Sequence, residues 1–172
     1  MIARLRRVLL EVLPKWALSR ITGLLTRLLR ERSIPQVKGT DYTLDELLAS
    51  SERADRFANG SQATIYLSPR DYHRVHTAFA GRCIERTHIP GKLFPVNPPA
   101  QRAIPKLFAR NERVVFEFEL EGGARAAIVM VAALNVGDIR YDFELPQRFD
   151  KGEELAYFAF GSTTILLLDE AA

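Results

Sequence analysis

Hydrophobic and polar positions alternate along most of this chain, and the alternation predicts strands. "SQATIYL" (61–67) reads as one strand. In "RVVFEFELE" (113–121), Phe116, Phe118 and Leu120 alternate with Glu117, Glu119 and Glu121, the pattern of a half-buried strand. Gly122-Gly123 follows as a hairpin-type turn. "ARAAIVMVAAL" (124–134) is apolar almost throughout and predicts a fully buried strand. "DIRYDFEL" (138–145) alternates again, with Ile139, Tyr141, Phe143 and Leu145 on one side. "LAYFAF" (155–160) and "TTILLL" (163–168) are two further strand-like runs, separated by Gly161 and Ser162. Many short strands with turns between them predict an α+β domain whose body is a mostly antiparallel sandwich or barrel.

Helical spacing dominates the N-terminal part instead. Ile2, Leu5, Leu9, Val12 and Trp16 recur at one helical period, and Ile21, Leu24, Leu25 and Leu28 at another. Pro14 should end or kink the first segment. These positions predict N-terminal amphipathic helices over an arm spanning 1–34. The body, 35–172, opens with "TLDELLAS", where Thr43 and Glu46 form a capping box ahead of a short helix buried through Leu44, Leu47 and Leu48.

Charge sharpens this division. The arm holds Arg4, Arg6, Arg7, Lys15, Arg20, Arg27, Arg30 and Arg32 against Glu11 and Glu31, about +6, in a chain of net +3. The body is therefore mildly acidic. With Trp16 as its one aromatic, the arm lacks the interleaved stacking platforms that single-stranded nucleic acid requires, so a nucleic-acid partner is not expected. No charge-free run reaches the roughly 18–20 apolar residues that span a bilayer. The charges also recur too often for a secretory signal. An amphipathic, arginine-rich arm instead suits the interface of an anionic membrane. A solvated basic face over a packed helix is the plainer alternative. The single cysteine, Cys83, forms no intramolecular disulfide and reads as a small packed side chain. No Cys/His cluster suggests a metal.

Chemistry-bearing residues gather in two places. Ser68-Pro69 opens a turn, and His73 and His76 follow three residues apart, a spacing that puts both on one face of a helix or turn. As a metal pair they lack a third ligand nearby. The second place is the Gly161-Ser162-Thr163 triplet. Read alone, it is a turn or bulge supplied with a flexible residue and two hydroxyls. His88, in "RTHIPG", reads as an ordinary loop histidine.

Taken in order, "YLSPRDYHRVH" (66–76), "IPGKLFPVNP" (89–98), "LFARNERVV" (107–115) and "KGEELAYFAFGSTTILLL" (151–168) closely resemble the phosphatidylserine decarboxylase family. "LPKWALSRITG" (13–23) and "KGTDYTLDELL" (38–48) resemble its upstream segments. The resemblance implies a self-cleaving proenzyme, cut between Gly161 and Ser162. Ser162 would become a covalent pyruvoyl group, the electron sink that pyridoxal phosphate provides elsewhere. His76 resembles the family's base and His73 its partner in handling protons during decarboxylation. The substrate implied is phosphatidylserine and the product phosphatidylethanolamine. The implied setting is peripheral, on the cytoplasmic face of the inner membrane. The cleaved small subunit, 162–172, would stay with the large one, and a homodimer is a candidate assembly.

The match departs from the family pattern at two points. Its Pro-Ala-Asp-Gly segment, whose Asp pairs with the motif histidine, does not occur. The stretch between "ALNVGDI" and "KGEEL" is also contracted. Without an orienting carboxylate, a histidine base is expected to lose control of its tautomer. Asp71 lies close by but is expected to be structural. Two other readings therefore stand beside the enzyme: a processing-defective relative that only binds membrane lipid, and a plain lipid-surface module in which both histidines merely pack.

Overall fold

The computed structural model describes residues 23–28, 32–34, 41–134, 138–159 and 162–172. The amphipathic helix expected over Ile2–Trp16 therefore lies outside the described residues, as do Phe160 and Gly161.

Seven antiparallel strands form the central sheet. From one edge to the other they are β1 (Gly23–Leu28), β4 (Ser61–Leu67), β12 (Ser162–Leu168), β8 (Arg125–Val131), β7 (Arg113–Leu120), β6 (Gly81–Ile89) and β10 (Gln147–Phe149). A smaller sheet contains β5 (Arg74–His76), β11 (Glu154–Phe158) and β9 (Ile139–Arg140), also antiparallel. A two-stranded ribbon, β2 (Ser33–Ile34) with β3 (Tyr42–Thr43), leads into the helices. These are α1 (Leu44–Leu48), α2 (Ser51–Phe57), α3 (Pro98–Ala103) and α4 (Leu107–Arg110).

The large sheet is buried on both faces, because each face has its own apolar cluster. One face packs on the small sheet: Phe116, Phe118, Ile128 and Leu166 meet Val75, Leu155, Ala156 and Phe158. The other packs on the helices: Val115, Val129, Ile165 and Leu167 meet Leu44, Leu47, Phe57 and Phe108. The α+β, mostly antiparallel expectation holds, and the layers are helix, sheet, sheet. The Thr43 capping box forms as read, with Glu46 N donating to Thr43 Oγ1 at 3.2 Å and Thr43 N to Glu46 Oε2 at 3.0 Å.

Four expectations are corrected. Gly23–Leu28 is an edge strand rather than a helix, with Gly23 opposite Tyr66 and Leu28 opposite Ser61. The apolar spacing there fits either period over so short a run, and the open edge of β4 supplies ladder partners that an isolated helix end lacks. Ile34, within the range assigned to the arm, is fully buried among the α1 leucines. The strand expected over 138–145 is confined to Ile139–Arg140, because Tyr141 and Phe143 turn their rings against Phe116. There Arg86 stacks 4.1 Å from the Tyr141 ring centre and donates to the Phe143 carbonyl at 3.2 Å. Strand β7 is buried on both faces, not one. Its Glu117 is 4% exposed and is held by Arg53 at 2.6 Å and Arg56 at 3.1 Å, both from α2.

One buried cation ties the helices to the sheet. Arg113 opens β7 and is 3% exposed. Its guanidinium donates to the carbonyls of Glu46 (2.7 Å) and Leu47 (2.6 Å) in α1, Ala109 (2.8 Å) in α4, and Asn111 (2.8 Å). The helices' last carbonyls have no partner within the helix, so Arg113 satisfies acceptors that burial would otherwise strand. Burial pulls its pKa down to about 10, which still leaves it charged at neutral pH. Replacing Arg113 with Met removes every one of these bonds while keeping much of the volume. The variant is expected to lose about 3 kcal/mol or more in urea unfolding, since a stranded buried acceptor costs about 1–3 kcal/mol.

Candidate active site

The Gly161-Ser162-Thr163 triplet does not interrupt a strand. Ser162 and Thr163 open β12. β11 ends at Phe158 in the small sheet, and β12 begins at Ser162 in the centre of the large one, between β4 and β8. Residues 159–161 lie between the two strands in sequence.

Register decides where Ser162 points. It lies opposite Leu67 of β4, and Leu67 and Leu166 both belong to the core between the sheets. Side chains alternate along a strand, so Ser162 faces that same inter-sheet layer. Thr163 faces the helices, opposite Tyr66 on one side and Val131 on the other. Ser162 is 0% exposed. Among the described residues its Oγ has no hydrogen-bond partner, and nor do the hydroxyls of Thr163 and Thr164. A buried hydroxyl without a partner carries a desolvation cost and marks a functional candidate.

The histidines enter from β5 and its approach. Asp71 is structural, as expected: its carboxylate accepts from Ser68 N at 2.7 Å, and its own N–H donates to Ser68 O at 2.8 Å, closing the turn. Beyond it Arg74–His76 form strand β5, with His73 just before the strand. The two histidines are therefore not on a helix, one of the settings in which their spacing puts both on one face. Val75 is buried in the inter-sheet core, so its strand neighbour His76 faces away from that core.

The two histidines also stand at different ends of the β5–β11 ladder. Phe158 N donates to the His73 carbonyl at 3.0 Å, which places His73 at the end leading directly to Ser162. His76 pairs with Glu154 at the other end, past a bulge. The His73 Nε2 is enclosed. His76 uses both ring nitrogens: Nδ1 lies 2.8 Å from the Gly152 carbonyl and Nε2 lies 2.7 Å from the Tyr72 hydroxyl. The Tyr72 ring stacks on it, with centroids 5.7 Å apart at 14°. Neither histidine is hydrogen-bonded to Ser162 Oγ.

Sequence reasoning missed Tyr72 and Gly152. Tyr72 sat inside a quoted motif without a role, and Gly152 was one glycine of a "DKGEE" turn. The glycine itself was the signal in the sequence, since the φ of 88° found there favours glycine. His88 is corrected too: it belongs to strand β6, and its Nε2 lies 2.9 Å from Glu112 Oε1. Cys83 is packed and its thiol is pushed up to about 12 by burial, which leaves it inert at neutral pH. A depression of about 240 Å³ beside β9 and β11 is lined by Arg140, Tyr141, Phe143, Glu153 and Tyr157 among others. It contains none of Ser162, His73 and His76, so it flanks the candidate site without enclosing it. Among the described residues no group of three or more His, Cys, Asp or Glu side chains could hold a metal ion. No helix among them is long and apolar enough to cross a membrane.

Comparison with known proteins bears on the family of the chain. The sequence profile of the phosphatidylserine decarboxylase family matches residues 18–172. A phosphatidylserine decarboxylase proenzyme of Chromobacterium violaceum is 44% identical over 151 residues, covering 77% of this chain and 54% of that protein. Its counterpart in Psychrobacter arcticus is 41% identical over 165 residues, covering 87% and 59%. That of Coxiella burnetii is 38% identical over 174 residues, covering 90% and 61%. The chain thus spans about half to three-fifths of the length of these relatives. With the profile matching nearly the whole sequence, the chain belongs to the phosphatidylserine decarboxylase family.

Proposed function

We propose that this chain cleaves itself between Gly161 and Ser162 and then decarboxylates phosphatidylserine to phosphatidylethanolamine. The observation that carries this reading is the Ser162 hydroxyl: fully buried, without a partner among the described residues, and set at the point where the chain changes sheet. Such a hydroxyl is desolvated, and the carbonyl it would attack belongs to the preceding residue, so the attack is intramolecular.

Ser162 Oγ attacks the Gly161 carbonyl, and the peptide nitrogen leaves as the amine of Ser162, so an amide becomes an ester. Loss of the Ser162 α-proton then breaks the Cβ–O bond. The Gly161 carboxylate is released, and a dehydroalanine stays at the new N-terminus. Water converts it to a pyruvoyl group with loss of ammonia. The buried position of Ser162 fits that group, whose three carbons are those of Ser162 while its ketone oxygen comes from the water. Once formed, the pyruvoyl carbonyl supplies an electron sink for loss of carbon dioxide from an amino acid headgroup. The proposed base is His76; its ring faces away from the layer that holds Ser162 and does not touch Ser162 Oγ, so this reading requires a proton relay or a ring movement between them. His73, beside the strand end that leads to Ser162, handles a proton in the decarboxylation. The 162–172 peptide forms β12, with ladders to both β4 and β8, which favours its retention after cleavage.

The proposed setting is the cytoplasmic face of the inner membrane, where the basic arm meets anionic lipid. The arm cannot be tested by deleting residues 1–34, because Gly23–Leu28 and Ile34 are part of the body.

Intact mass tests the cleavage. The full chain is expected to resolve into two fragments, the smaller beginning at a pyruvoyl-blocked position 162, and Ser162→Ala is expected to remain whole. A single full-length mass for the unsubstituted chain after prolonged incubation would leave the processing-defective, lipid-binding reading in its place. His76→Ala is expected to slow cleavage by roughly 100-fold or more, the lower range of acid–base contributions. His73→Ala is expected to cleave and yet release less carbon dioxide from phosphatidylserine vesicles. For the arm, Arg4, Arg6 and Arg7 changed together to Gln should weaken flotation with anionic vesicles. At about 1 kcal/mol per basic residue, the loss is about 3 kcal/mol. Undiminished flotation contradicts an anchoring role.

A further inference from the structure

His76 makes two contacts that together decide which of its nitrogens carries the proton. A backbone carbonyl only accepts, so the 2.8 Å contact with Gly152 O requires a proton on Nδ1. In a neutral imidazole the other nitrogen is then a bare acceptor. Nε2 faces the Tyr72 hydroxyl at 2.7 Å, and that hydroxyl must donate. Burial, with the charge of Glu154, raises the Tyr72 pKa and so keeps it a donor, against a smaller opposing effect of Arg74.

Neither contact is incidental, because the groups that make them are themselves held. The Gly152 carbonyl belongs to a turn pinned to Thr77 from several sides. Thr77 Oγ1 donates to Asp150 O at 2.6 Å, Gly152 N to Thr77 O at 2.9 Å, and Thr77 N to Glu153 O at 2.9 Å. Within the turn, Asp150 N donates to Glu153 Oε2 at 2.8 Å. The positive φ of Gly152, 88°, is part of this turn's geometry and is one that a residue with a Cβ adopts only with strain. Tyr72 is held by its stacking on the imidazole it donates to. Arg74, next along the same face, pairs with Glu154, the ladder partner of His76.

We propose that the Gly152 carbonyl and the Tyr72 hydroxyl lock His76 as the Nδ1–H tautomer, with Nε2 the basic nitrogen, and that Tyr72 is thereby a positioning residue for proton transfer at this site. A backbone carbonyl and a phenol do here what a carboxylate does in a hydrolase triad, which is to hold one tautomer and one ring orientation. The arrangement also allows proton uptake without movement of heavy atoms. When Nε2 gains a proton it becomes a donor, and the Tyr72 oxygen accepts from it after its own O–H rotates away. The second half of the proposal rests on His76 being the base of the self-cleavage.

The test uses the full chain, with Ser162→Ala to keep it whole, labelled with nitrogen-15. A two-bond proton–nitrogen spectrum is recorded above the imidazole range, at about pH 8.5. The expected pattern for His76 is one tautomer, protonated at Nδ1 and bare at Nε2. A proton on Nε2, or a mixture, overturns the proposal without any substitution at Tyr72. Tyr72→Phe then keeps the stacked ring and removes only the hydroxyl. It is expected to convert the single pattern to a mixture and, with Ser162 restored, to slow cleavage by about tenfold, part of the roughly 10²–10⁴-fold that a positioned acid–base group contributes. An unchanged pattern or an unchanged cleavage rate in Tyr72→Phe overturns the role given to Tyr72. Absence of any cleavage in the unsubstituted chain would instead remove the proposed function, while the tautomer spectrum still decides how His76 is held.

Discussion

The rest of the molecule depends on β12 being a central strand. It is hydrogen-bonded along its length to β4 on one side and β8 on the other, and its side chains are buried on both faces. A central strand has no free edge, so both its register and the direction of each side chain are set by its neighbours. Ser162 is its first residue and inherits that constraint. Its hydroxyl is carried into the layer between the two sheets because Leu67 and Leu166, which share its face, are already there. β11 ends at Phe158 in the small sheet and β12 starts at Ser162 in the large one, so the candidate scissile bond lies in sequence between strands of different sheets.

The small sheet positions the two candidate histidines. β5 and β11 are paired with a bulge, and the turn at residues 150–153 closes over Thr77. Those two features aim one carbonyl and one phenol at a single imidazole. The expected loss of tautomer control, drawn from the missing Pro-Ala-Asp-Gly segment, weighed carboxylates alone; in the proposal above a backbone carbonyl takes that part. Carbonyls leave no mark on a sequence, whereas an aspartate does.

Much of the fold could be read in advance. "SQATIYL", the alternating "RVVFEFELE", its double-glycine turn and the apolar "ARAAIVMV" each became the strand or turn that their period predicted. Thr43 and Glu46 capped their helix. These features are local, and a local period or a capping pair carries its own physical cause. The failures were those of context. Leu24, Leu25 and Leu28 fit two periods over too few residues, and a vacant sheet edge chose the strand. Glu117 read as a solvent-facing charge, but α2 lies over it and provides two guanidiniums. Tyr141 and Phe143 alternated as a strand should, yet the Phe116 ring and the Arg86 guanidinium offered them better contacts than a ladder.

For the candidate site, the sequence by itself determined which residues were present and in what order: a Gly-Ser-Thr triplet between two apolar runs, and two histidines three apart. It also carried the family, since long matches in fixed order are a property of the chain alone. Tertiary structure decided the rest. It placed Ser162 in the inter-sheet layer, set the two histidines at different ends of the β5–β11 ladder, and brought Tyr72 and Gly152 to the two nitrogens of one ring. The reason is physical. Spacing along a chain becomes a direction in space only once the local geometry is known, and partners as far apart as Gly152 and His76 meet only through the pairing of strands.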